Sequence, residues 1–334
     1  MKKFFSILLF LTILSSCKQD PQPNIYTIQG IALGTTYKVL YISENPEPNV
    51  KKSIDSIFNV INQSLSTYIE SSDISKINQG IESVKVDEHF VNVFNKSKEI
   101  WNLTDGFFDP TIGIITKAYG LGPIDDNIQK INIDSLLSFT GFEKVSLINN
   151  LIVKEKKEIF LDFNAIAKGY CVDIISKLLK DKKINNHLVE IGGEMVASGK
   201  NLVSNEFWRV GITNPVNPNS KNFLKKILLN NSALASSGNY RKFIIDEFSG
   251  EKIVHTINPK NGKAYETNVL GTSVIAKDCI TADAYATAFM AMPLQNSIDL
   301  ISKIEEIEVM IIYLNENKDV DVFLSKNFDK INLN

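Results

Sequence analysis

Two oxygen-bearing side chains within residues 281–288 have the type and spacing that a metal site requires. Asp283 and Thr287 are four residues apart, so both lie on the same face if the segment is helical. A carboxylate and a hydroxyl are hard donors that suit Mg²⁺, which keeps water and phosphate oxygens as its other ligands. The ordinary structural explanation is a helix acid beside small packing residues, and the segment taken alone favours it.

Residues 162–170 contain an acid at the end of a predicted strand, followed by a tight turn of small residues into a predicted helix. Free N–H groups at a helix start attract phosphate oxygens. Lys168 adds a mobile positive charge near the first turn, and Asp162 with the loop carbonyls can face a metal or a ribose. An ordinary capped helix with a surface lysine explains the stretch equally well when it is taken alone.

Residues 104–111 place a glycine and a proline around an acid, just after a predicted amphipathic helix. This arrangement fixes a loop that presents Asp109 together with the aromatic rings of Phe107 and Phe108. A structural loop in which Asp109 caps the next helix is the alternative, and it is favoured when the segment is considered alone.

Three further segments carry weaker signals. Paired glycines in residues 190–194 let the backbone approach a ligand closely or merely form a turn. Residues 236–240 read Ser-Ser-Gly-Asn-Tyr, and residues 255–262 place His255 at a strand end before strong Asn-Pro and Asn-Gly turn signals. A lone histidine is more often structural than catalytic.

Several common cofactor and nucleophile motifs are absent from the sequence. It has no Gly-x-Gly-x-x-Gly after a strand, no Gly-Lys-Ser/Thr phosphate loop and no Gly-x-Ser-x-Gly elbow. His89, His187 and His255 are far apart and show no zinc spacing. A dinucleotide would therefore be held by other means.

The apolar periodicity predicts the elements that position these segments. Strands and helices do not alternate regularly, so the predicted class is α+β, with mixed or antiparallel sheets flanked by helices, rather than a doubly wound sheet. Helices are predicted at residues 50–65, 89–101, 164–180, 281–291 and 295–304. Strands are predicted at 37–43, within 145–162 around a turn at 149–150, and at 187–191, 207–213, 225–229, 240–246, 269–276, 308–314 and 320–324.

The N-terminus resembles an export signal. Lys2 and Lys3 precede an apolar run of 11 residues, 4–14, which is too short to span a bilayer and fits a secretory signal peptide. Leu14-Ser15-Ser16-Cys17 resembles a bacterial lipobox, which implies removal of residues 1–16 and lipidation of Cys17. An ordinary signal peptide with an incidental cysteine is the alternative. Residues 17–24 then form a polar tether, and 25–334 the folded domain.

Charge and cysteine content restrict the remaining possibilities. The formal charge changes from −2 to −4 when residues 1–16 are removed, since they contain two lysines and no acid. This mild acidity without a basic run argues against a nucleic-acid partner. Cys171 and Cys279 can pair in an exported protein, although two buried thiols are the favoured state.

Together, and in this order, these segments resemble the ApbE family of FAD:protein FMN transferases. The similarity starts at Gly34-Thr35-Thr36-Tyr37 and includes Leu65-Ser66-Thr67-Tyr68 with Ser75-Lys76-Ile77-Asn78 downstream. It implies a two-part α+β fold with FAD in a cleft and Mg²⁺ at the pyrophosphate. One position departs from the pattern: Asn164 stands where many members have glycine or serine, and it can cap the helix or crowd the phosphate.

The resemblance also implies roles for individual residues. Asp283 and Thr287 would bind Mg²⁺ with the carbonyl of Ala165 as a third ligand, and His255 matches the family's reactive-site histidine. Either His255 or Asp283 can then act as the general base, a choice that the sequence leaves open. The implied flavin contacts are Leu33, Tyr68, Phe107, Phe108, Asp109, Asp162, Lys168 and the backbone near Ile257.

The activity that follows from the resemblance is transfer of FMN from FAD to a Thr or Ser hydroxyl of an acceptor flavoprotein, with release of AMP. The acceptor expected is a subunit of a membrane electron-transfer complex, and the enzyme would be lipid-anchored and face the periplasm. Two alternatives remain open: hydrolysis of FAD to FMN and AMP, and storage of FAD by a binding lipoprotein without chemistry.

Overall fold

The computed structural model describes residues 23–122, 132–218, 220, 222–239, 243–245, 252–264 and 267–331. The predicted signal peptide, the predicted lipidation site Cys17 and most of the predicted tether lie outside these residues, as does Tyr240. Among the helices that are described, none is both long enough and apolar enough to cross a lipid bilayer.

The described elements follow one another without regular alternation of helix and strand. The helices are α1 (Val50–Leu65), α2 (Asp73–Asn78), α3 (Glu88–Leu103), α4 (Gly113–Ala118), α5 (Ile133–Leu137), α6 (Ala167–Asp181), α7 (Cys279–Ala291) and α8 (Leu294–Ile301). The strands are β1 (Asn24–Ala32), β2 (Thr35–Ser43), β3 (Val145–Ile148), β4 (Leu151–Lys154), β5 (His187–Ile191), β6 (Glu194–Ser198), β7 (Trp208–Ile212), β8 (Lys225–Leu229), β9 (Ala233–Gly238), β10 (Phe243–Ile245), β11 (Lys252–Val254), β12 (Val269–Ala276), β13 (Glu308–Leu314) and β14 (Val320–Leu324). Short 3₁₀ turns occur at Phe142–Lys144 and Phe328–Ile331.

An eight-stranded sheet in the order β1-β2-β5-β6-β9-β12-β13-β14 forms the centre of the protein. Its neighbouring strands pair antiparallel throughout. Alternation along β2 buries Tyr37, Val39 and Tyr41 while Lys38 is exposed, as expected for a strand with one face against a core. The predicted α+β class with an antiparallel sheet is confirmed.

The two faces of this sheet are covered differently. One face packs against α1, α6 and α7, and α3 packs on α1 and α7 behind them, in the main apolar core. The other face is covered by the β7–β8 hairpin, where Trp208 and Ile227 pack with Met310 and Ile312. Because adjacent residues of a strand point to opposite faces, β13 contributes Val309 to the first core and Met310 to the second.

Helix α7 is buried around almost its whole circumference, which explains its composition. It packs on β9 and β12 on one side and on α6 on another. Ala282, Ala284, Ala286 and Ala288 are each fully buried, and small side chains allow such close packing. The hydroxyl of Thr272 on β12 donates to the main-chain oxygen of Ala286 over 2.7 Å, which fixes the helix on the sheet.

Most predicted elements agree with these bounds to within two residues, as expected where the apolar period is strong. Strands β1, β6 and β9 and the short helices α2, α4 and α5 were not predicted. Strand β1 is an edge strand with few buried residues, whereas β6 and β9 lie in the middle of the sheet. The strand pair within 145–162 ends at Lys154, and the predicted strand at 240–246 is described only over β10. Cys171 and Cys279 are both free and buried, in agreement with the favoured prediction.

Candidate functional site

The start of α6 lies directly against α7. The backbone N–H of Gly169 donates to Oδ2 of Asp283 over 2.9 Å, and Asp283 is only 3% exposed. A Cβ at position 169 would lie 2.4 Å from the main-chain oxygen of Cys279 and 2.8 Å from Cβ of Asp283. Glycine is therefore required here by close approach, and the contact brings the Asp283 carboxylate to the N-terminal end of α6.

Asp173 makes the reciprocal contact from α6 to α7. Its two carboxylate oxygens accept from the N–H groups of Cys279 and Ile280 over 2.9 and 2.8 Å, which satisfies two donors at the start of α7. Burial raises the pKa of Asp173 to about 7, while the two N–H groups oppose that rise. Each helix thus presents a carboxylate to the N-terminal amides of the other, an exchange that the sequence analysis did not find.

We expect the Gly169→Ala variant to lose about 1–3 kcal/mol of unfolding free energy, because the added methyl group meets backbone rather than a side chain that can rotate. It should also lose the activity that the resemblance implies, since α7 must move away from α6 and take Asp283 with it. Chemical denaturation and an assay of that activity measure the two effects.

Gly271→Ala is the matched control, because a Cβ there lies 3.4 Å or more from its neighbours. This variant should keep both stability and activity. Unchanged stability of Gly169→Ala would contradict the steric argument.

Thr287 lies one helical turn after Asp283, partly buried, at the surface of the sheet. Its Oγ1 is 3.5 Å from Oγ of Ser237 on β9. The neighbouring Ser236 points to the other face of the sheet, where it shares a 2.8 Å hydrogen bond with Ser273 of β12. Of the Ser-Ser-Gly-Asn-Tyr segment, Ser237 is therefore the hydroxyl that lies beside Thr287.

The loop that precedes α6 differs from the prediction. The helix begins at Ala167 rather than near Asn164, and it has no side-chain cap. Residues 163–166 form a turn instead, because Phe163 is buried and its carbonyl accepts from the N–H groups of both Ile166 and Ala167. The Asn164 side chain is exposed and its Nδ2 lies 3.5 Å from Thr67 Oγ1, so the predicted helix-capping role of Asn164 is wrong.

Asp162 anchors this loop through its own main chain and side chain. Its Oδ1 accepts from the N–H of Asn164 over 2.7 Å, which closes a tight turn. Its N–H donates to the carbonyl of Pro110 over 2.8 Å. Asp162 therefore links the start of the α6 loop to the segment at 104–111.

The sequence suggested that Lys168 is a mobile positive charge, but in the structure its side chain forms an ion pair. Its Nζ lies 2.7 Å from Oε2 of Glu194, a carboxylate that is only 2% exposed. Glu194 belongs to the paired-glycine segment, where Glu190 accepts from the N–H of Gly193 over 2.7 Å. The weak signal at residues 190–194 thus corresponds to the turn that carries the partner of Lys168.

Asp109 organises the loop at 104–111 from inside. It is 9% exposed and accepts four hydrogen bonds, two from Thr111 and one each from Trp101 Nε1 and the N–H of Phe142. Burial raises the pKa of this carboxyl against the effect of those donors. Phe108 is buried, so the partly exposed Phe107 is the aromatic ring of this loop that a ligand can reach.

Tyr68 lies in an exposed turn after α1, and Leu33 lies, partly buried, in the turn between β1 and β2. Tyr68 is 59% exposed, and its phenol pKa is raised by partial burial and then by the negative charge of Asp162. Leu33 has φ of +50° and Gly34 φ of +73°, the conformation of a two-residue hairpin turn between β1 and β2. A leucine held in this region of φ is uncommon and marks a turn that the rest of the fold must impose.

His255 follows β11 directly and is partly buried. The turn after it is closed by the N–H of Asn258, which donates to Lys263, while Ile257 is 6% exposed within a small cluster that includes Ile115. The other two histidines make structural contacts, and His89 Nδ1 lies 2.9 Å from the Tyr170 hydroxyl.

His187 is fully buried between Ser176 and the carbonyl of Ile184, and burial lowers its pKa to about 4. It is therefore neutral at physiological pH and serves the packing of α6 on β5. Of the three histidines, His255 is the one whose position suits chemistry at the site.

A series of contacts links the predicted segments to one another. Lys260, in the turn after His255, lies 3.5 Å from Asp105 and 5.6 Å from the ring centre of Phe107. The same loop meets Asp162 through the carbonyl of Pro110, and α6 meets Asp283 through Gly169. Residues 255–262, 105–113, 162–169 and 283–287 are thus held together by direct contacts or through one intervening loop.

The contact between α6 and α7 offers oxygen donors from side chains and from the main chain. In the part of the chain that the structure describes, no three or more His, Cys, Asp and Glu side chains cluster as a metal site. The Asp283 carboxylate and the Thr287 hydroxyl, one helical turn apart on α7, are donors of the kind that suits Mg²⁺, and the resemblance adds the Ala165 carbonyl to them.

Comparison with known proteins gives consistent results. Residues 33–311 match the sequence profile described as the ApbE family. The "FAD:protein FMN transferase" of Vibrio cholerae is 30% identical over 301 residues, which cover 87% of this chain and 88% of that protein. The protein of the same name from Haemophilus influenzae is 27% identical, with 91% of each chain covered.

Solved structures give the same result. The "Flavin Transferase ApbE from Vibrio cholerae" superposes with a TM-score of 0.82 at 27% identity, covering 93% of this chain and all of that one. The ApbE protein of Thermotoga maritima superposes with a TM-score of 0.81 at 25% identity and similar coverage.

Proposed function

Because the chain belongs to the ApbE family, we propose that it is an FAD:protein FMN transferase, an enzyme that moves FMN from FAD to a hydroxyl side chain of an acceptor flavoprotein. The observation that carries the proposal is the bond between Gly169 N–H and Asp283, which sets a buried carboxylate at the start of a helix. Helix N-termini favour phosphate oxygens, and a carboxylate beside one provides a place for a divalent cation between them.

The proposed reaction balances as a phosphoryl-type transfer. The oxygen of an acceptor Thr or Ser attacks the phosphorus on the FMN side of the FAD pyrophosphate. The bond from that phosphorus to the bridging oxygen breaks, and AMP leaves with the bonding electrons. The acceptor hydroxyl loses its proton to a base, and the product is a phosphoester between FMN and the acceptor.

The residues of α6 and its loop would position the pyrophosphate. Lys168 is near this end of the helix, and its ion pair with Glu194 holds the ammonium group in a defined place without full exposure to water. A fixed cation near a developing negative charge stabilises a transition state more than one that must first be ordered. The accessible rings of Phe107 and Tyr68 would contact the flavin, and the resemblance adds Leu33 as a further contact.

Three oxygen donors would hold Mg²⁺: the carboxylate of Asp283, the hydroxyl of Thr287 and the carbonyl of Ala165. When bound, the ion supplies positive charge that offsets the charge on the pyrophosphate. The Gly169 N–H keeps one oxygen of Asp283 in a defined orientation, so the rotamer of the carboxylate is set before any ligand arrives.

His255 is the better candidate for the base. The Asp283 carboxylate already accepts a backbone N–H and is the proposed metal ligand, so it is committed to two other interactions. An imidazole is the side chain best suited to accept a proton near neutral pH. We therefore assign proton removal from the acceptor hydroxyl to His255.

The location and partner of the enzyme are part of the same proposal. The lipobox-like Leu14-Ser15-Ser16-Cys17 supports export, lipidation at Cys17 and a position at the membrane facing the periplasm. The acceptor would be a flavoprotein subunit of a membrane electron-transfer complex. Metabolic labelling with a fatty acid, compared between the native chain and Cys17→Ser, tests the anchor.

Incubation of the purified protein with FAD, Mg²⁺ and an acceptor that carries a Thr in a Ser/Thr-Ala-rich segment tests the activity. We expect flavin fluorescence that stays on the acceptor band in a denaturing gel and one AMP per attached FMN. The same acceptor with that Thr replaced by Val is the control and should remain dark.

The two alternative functions predict different products in this assay. Free FMN and AMP in equal amounts, without labelled acceptor, would indicate hydrolysis of FAD. Unchanged FAD bound to the protein would indicate storage.

A further inference from the structure

Helix α2 carries the Ser75-Lys76-Ile77-Asn78 segment, to which the proposed function assigns no part. The side chain of Asn78 makes two hydrogen bonds with the main chain of Leu161, 83 residues away. Its Nδ2 donates to the Leu161 carbonyl over 2.8 Å, and its Oδ1 accepts from the Leu161 N–H over 2.8 Å. The amide thus takes the place that the main chain of a neighbouring strand would occupy.

Leu161 is fully buried and directly precedes Asp162. Since Leu161 lies outside the described strands, its N–H and C=O groups depend on the Asn78 amide for their hydrogen bonds. Loss of that amide would leave two buried backbone groups unpaired at the residue before Asp162.

The other end of α2 holds the segment that contains Tyr68. The carbonyl of Ser66 accepts from the hydroxyl of Ser72 over 2.7 Å and from that of Ser75 over 3.3 Å. Ser66 Oγ in turn accepts from the N–H of Tyr68 over 3.3 Å. One short helix therefore contacts both the Tyr68 segment and the Asp162 segment.

Lys154 secures the C-terminal end of α2 from the side. Its Nζ donates to the carbonyls of Ile77 and Ile159 over 3.0 and 2.9 Å, and burial lowers its pKa. A lysine at the last carbonyls of a helix stabilises that end. The helix is thus held on both sides of Asn78.

We propose that Asn78 is a positioning residue for flavin binding: through Leu161 it fixes Asp162, and through α2 it keeps Tyr68 facing Asp162. This inference rests on the proposed function, since Tyr68 and Asp162 are the flavin contacts of that proposal. The two groups are close enough that the charge of Asp162 raises the pKa of Tyr68. Side chains that are placed before the ligand arrives lose less entropy on binding it.

The test is the dissociation constant of FAD, measured from the change in flavin fluorescence for the full protein and its variants. Asn78→Ala, which removes both bonds, should weaken binding by roughly tenfold or more. Asn78→Asp keeps the acceptor for the Leu161 N–H but sets an oxygen against the Leu161 carbonyl, so it should weaken binding less than alanine does. If Asn78→Ala does not fold, Asn78→Asp still gives the answer.

A structural control separates positioning from stability. Trp208→Phe removes a buried hydrogen bond from Nε1 to the Ser198 carbonyl on the opposite face of the sheet. This variant should melt at a lower temperature yet bind FAD as the native protein does. Equal weakening of FAD binding in Trp208→Phe would overturn the inference, because general destabilisation would then explain both variants.

A double-variant cycle tests the route through Asp162. If Asn78 acts by placing Asp162, then Asn78→Ala should add little to the binding loss of Asp162→Ala. Fully additive losses, or native FAD affinity in both Asn78 variants, would overturn the inference while leaving the transferase proposal intact. FAD binding without transfer by the native protein would overturn the transferase proposal alone, and no FAD binding would overturn both.

Discussion

Loss of transfer by at least about a thousandfold is the result we expect for Asp283→Ala, because the variant removes the one carboxylate of the proposed Mg²⁺ ligand set. The remaining donors, Thr287 and the Ala165 carbonyl, are neutral and hold a divalent cation weakly. Two measurements are needed: FMN attached to the acceptor per unit time, and Mg²⁺ affinity from titration calorimetry in the presence of FAD.

Asp283→Asn and Asp173→Asn separate charge from packing. Asparagine at 283 keeps the volume and an oxygen that can accept from Gly169 N–H, so it should fold normally yet bind Mg²⁺ poorly. Asp173 makes an equivalent buried contact with α7 but is not a proposed ligand. Its variant should be less stable and still transfer FMN. Full activity of Asp283→Ala with Mg²⁺ as the one metal supplied would defeat the ligand assignment.

The reciprocal contacts of these two acids illustrate what a sequence does not reveal. Asp173 lies in α6 and Asp283 in α7, and the sequence predicted both helices. Their partners are backbone N–H groups on another element, more than a hundred residues away. Residue types and local spacing carry no information about such partners, so the role of Asp173 required the three-dimensional structure.

Local patterns predicted the elements well where one face of an element is buried. The 3.6-residue spacing of Ile54, Phe58, Ile61 and Leu65 gave α1, and all four side chains are buried. The predicted start of α6 was wrong for a physical reason. Phe163 is buried and a turn separates it from the helix, and local helix propensity carries no information about such tertiary packing.

The candidate site could be predicted in part. Asp283 and Thr287 were found from their four-residue spacing, and the structure adds Ser237 beside Thr287. The sequence identified Lys168 as a candidate cation but did not predict its ion pair with Glu194. That pair depends on how the tertiary structure places the glycine turn that precedes Glu194. Asn78 was noticed only as part of a resemblance, because nothing local distinguishes it from any exposed helix-end asparagine.

The second large effect concerns His255. We expect His255→Ala to bind FAD within about threefold of the native affinity and to transfer FMN roughly 10²- to 10⁴-fold more slowly, the range that loss of a general base produces. Binding should survive because the neighbouring turn is held by bonds that do not involve the imidazole, such as Asn258 N–H to Lys263. Stopped-flow mixing with acceptor after FAD has bound separates the transfer step from binding.

The pH dependence of transfer distinguishes a base from a packing residue. With His255 as the base, the rate should rise with pH as the imidazole loses its proton, and His255→Ala should lose that rise. His89→Ala is the matched control, since His89 pairs with the Tyr170 hydroxyl on another part of α6 and should leave the profile unchanged. If His255→Ala fails to bind FAD, this histidine is a binding residue instead. Proton removal would then have to be assigned to a side chain of α7.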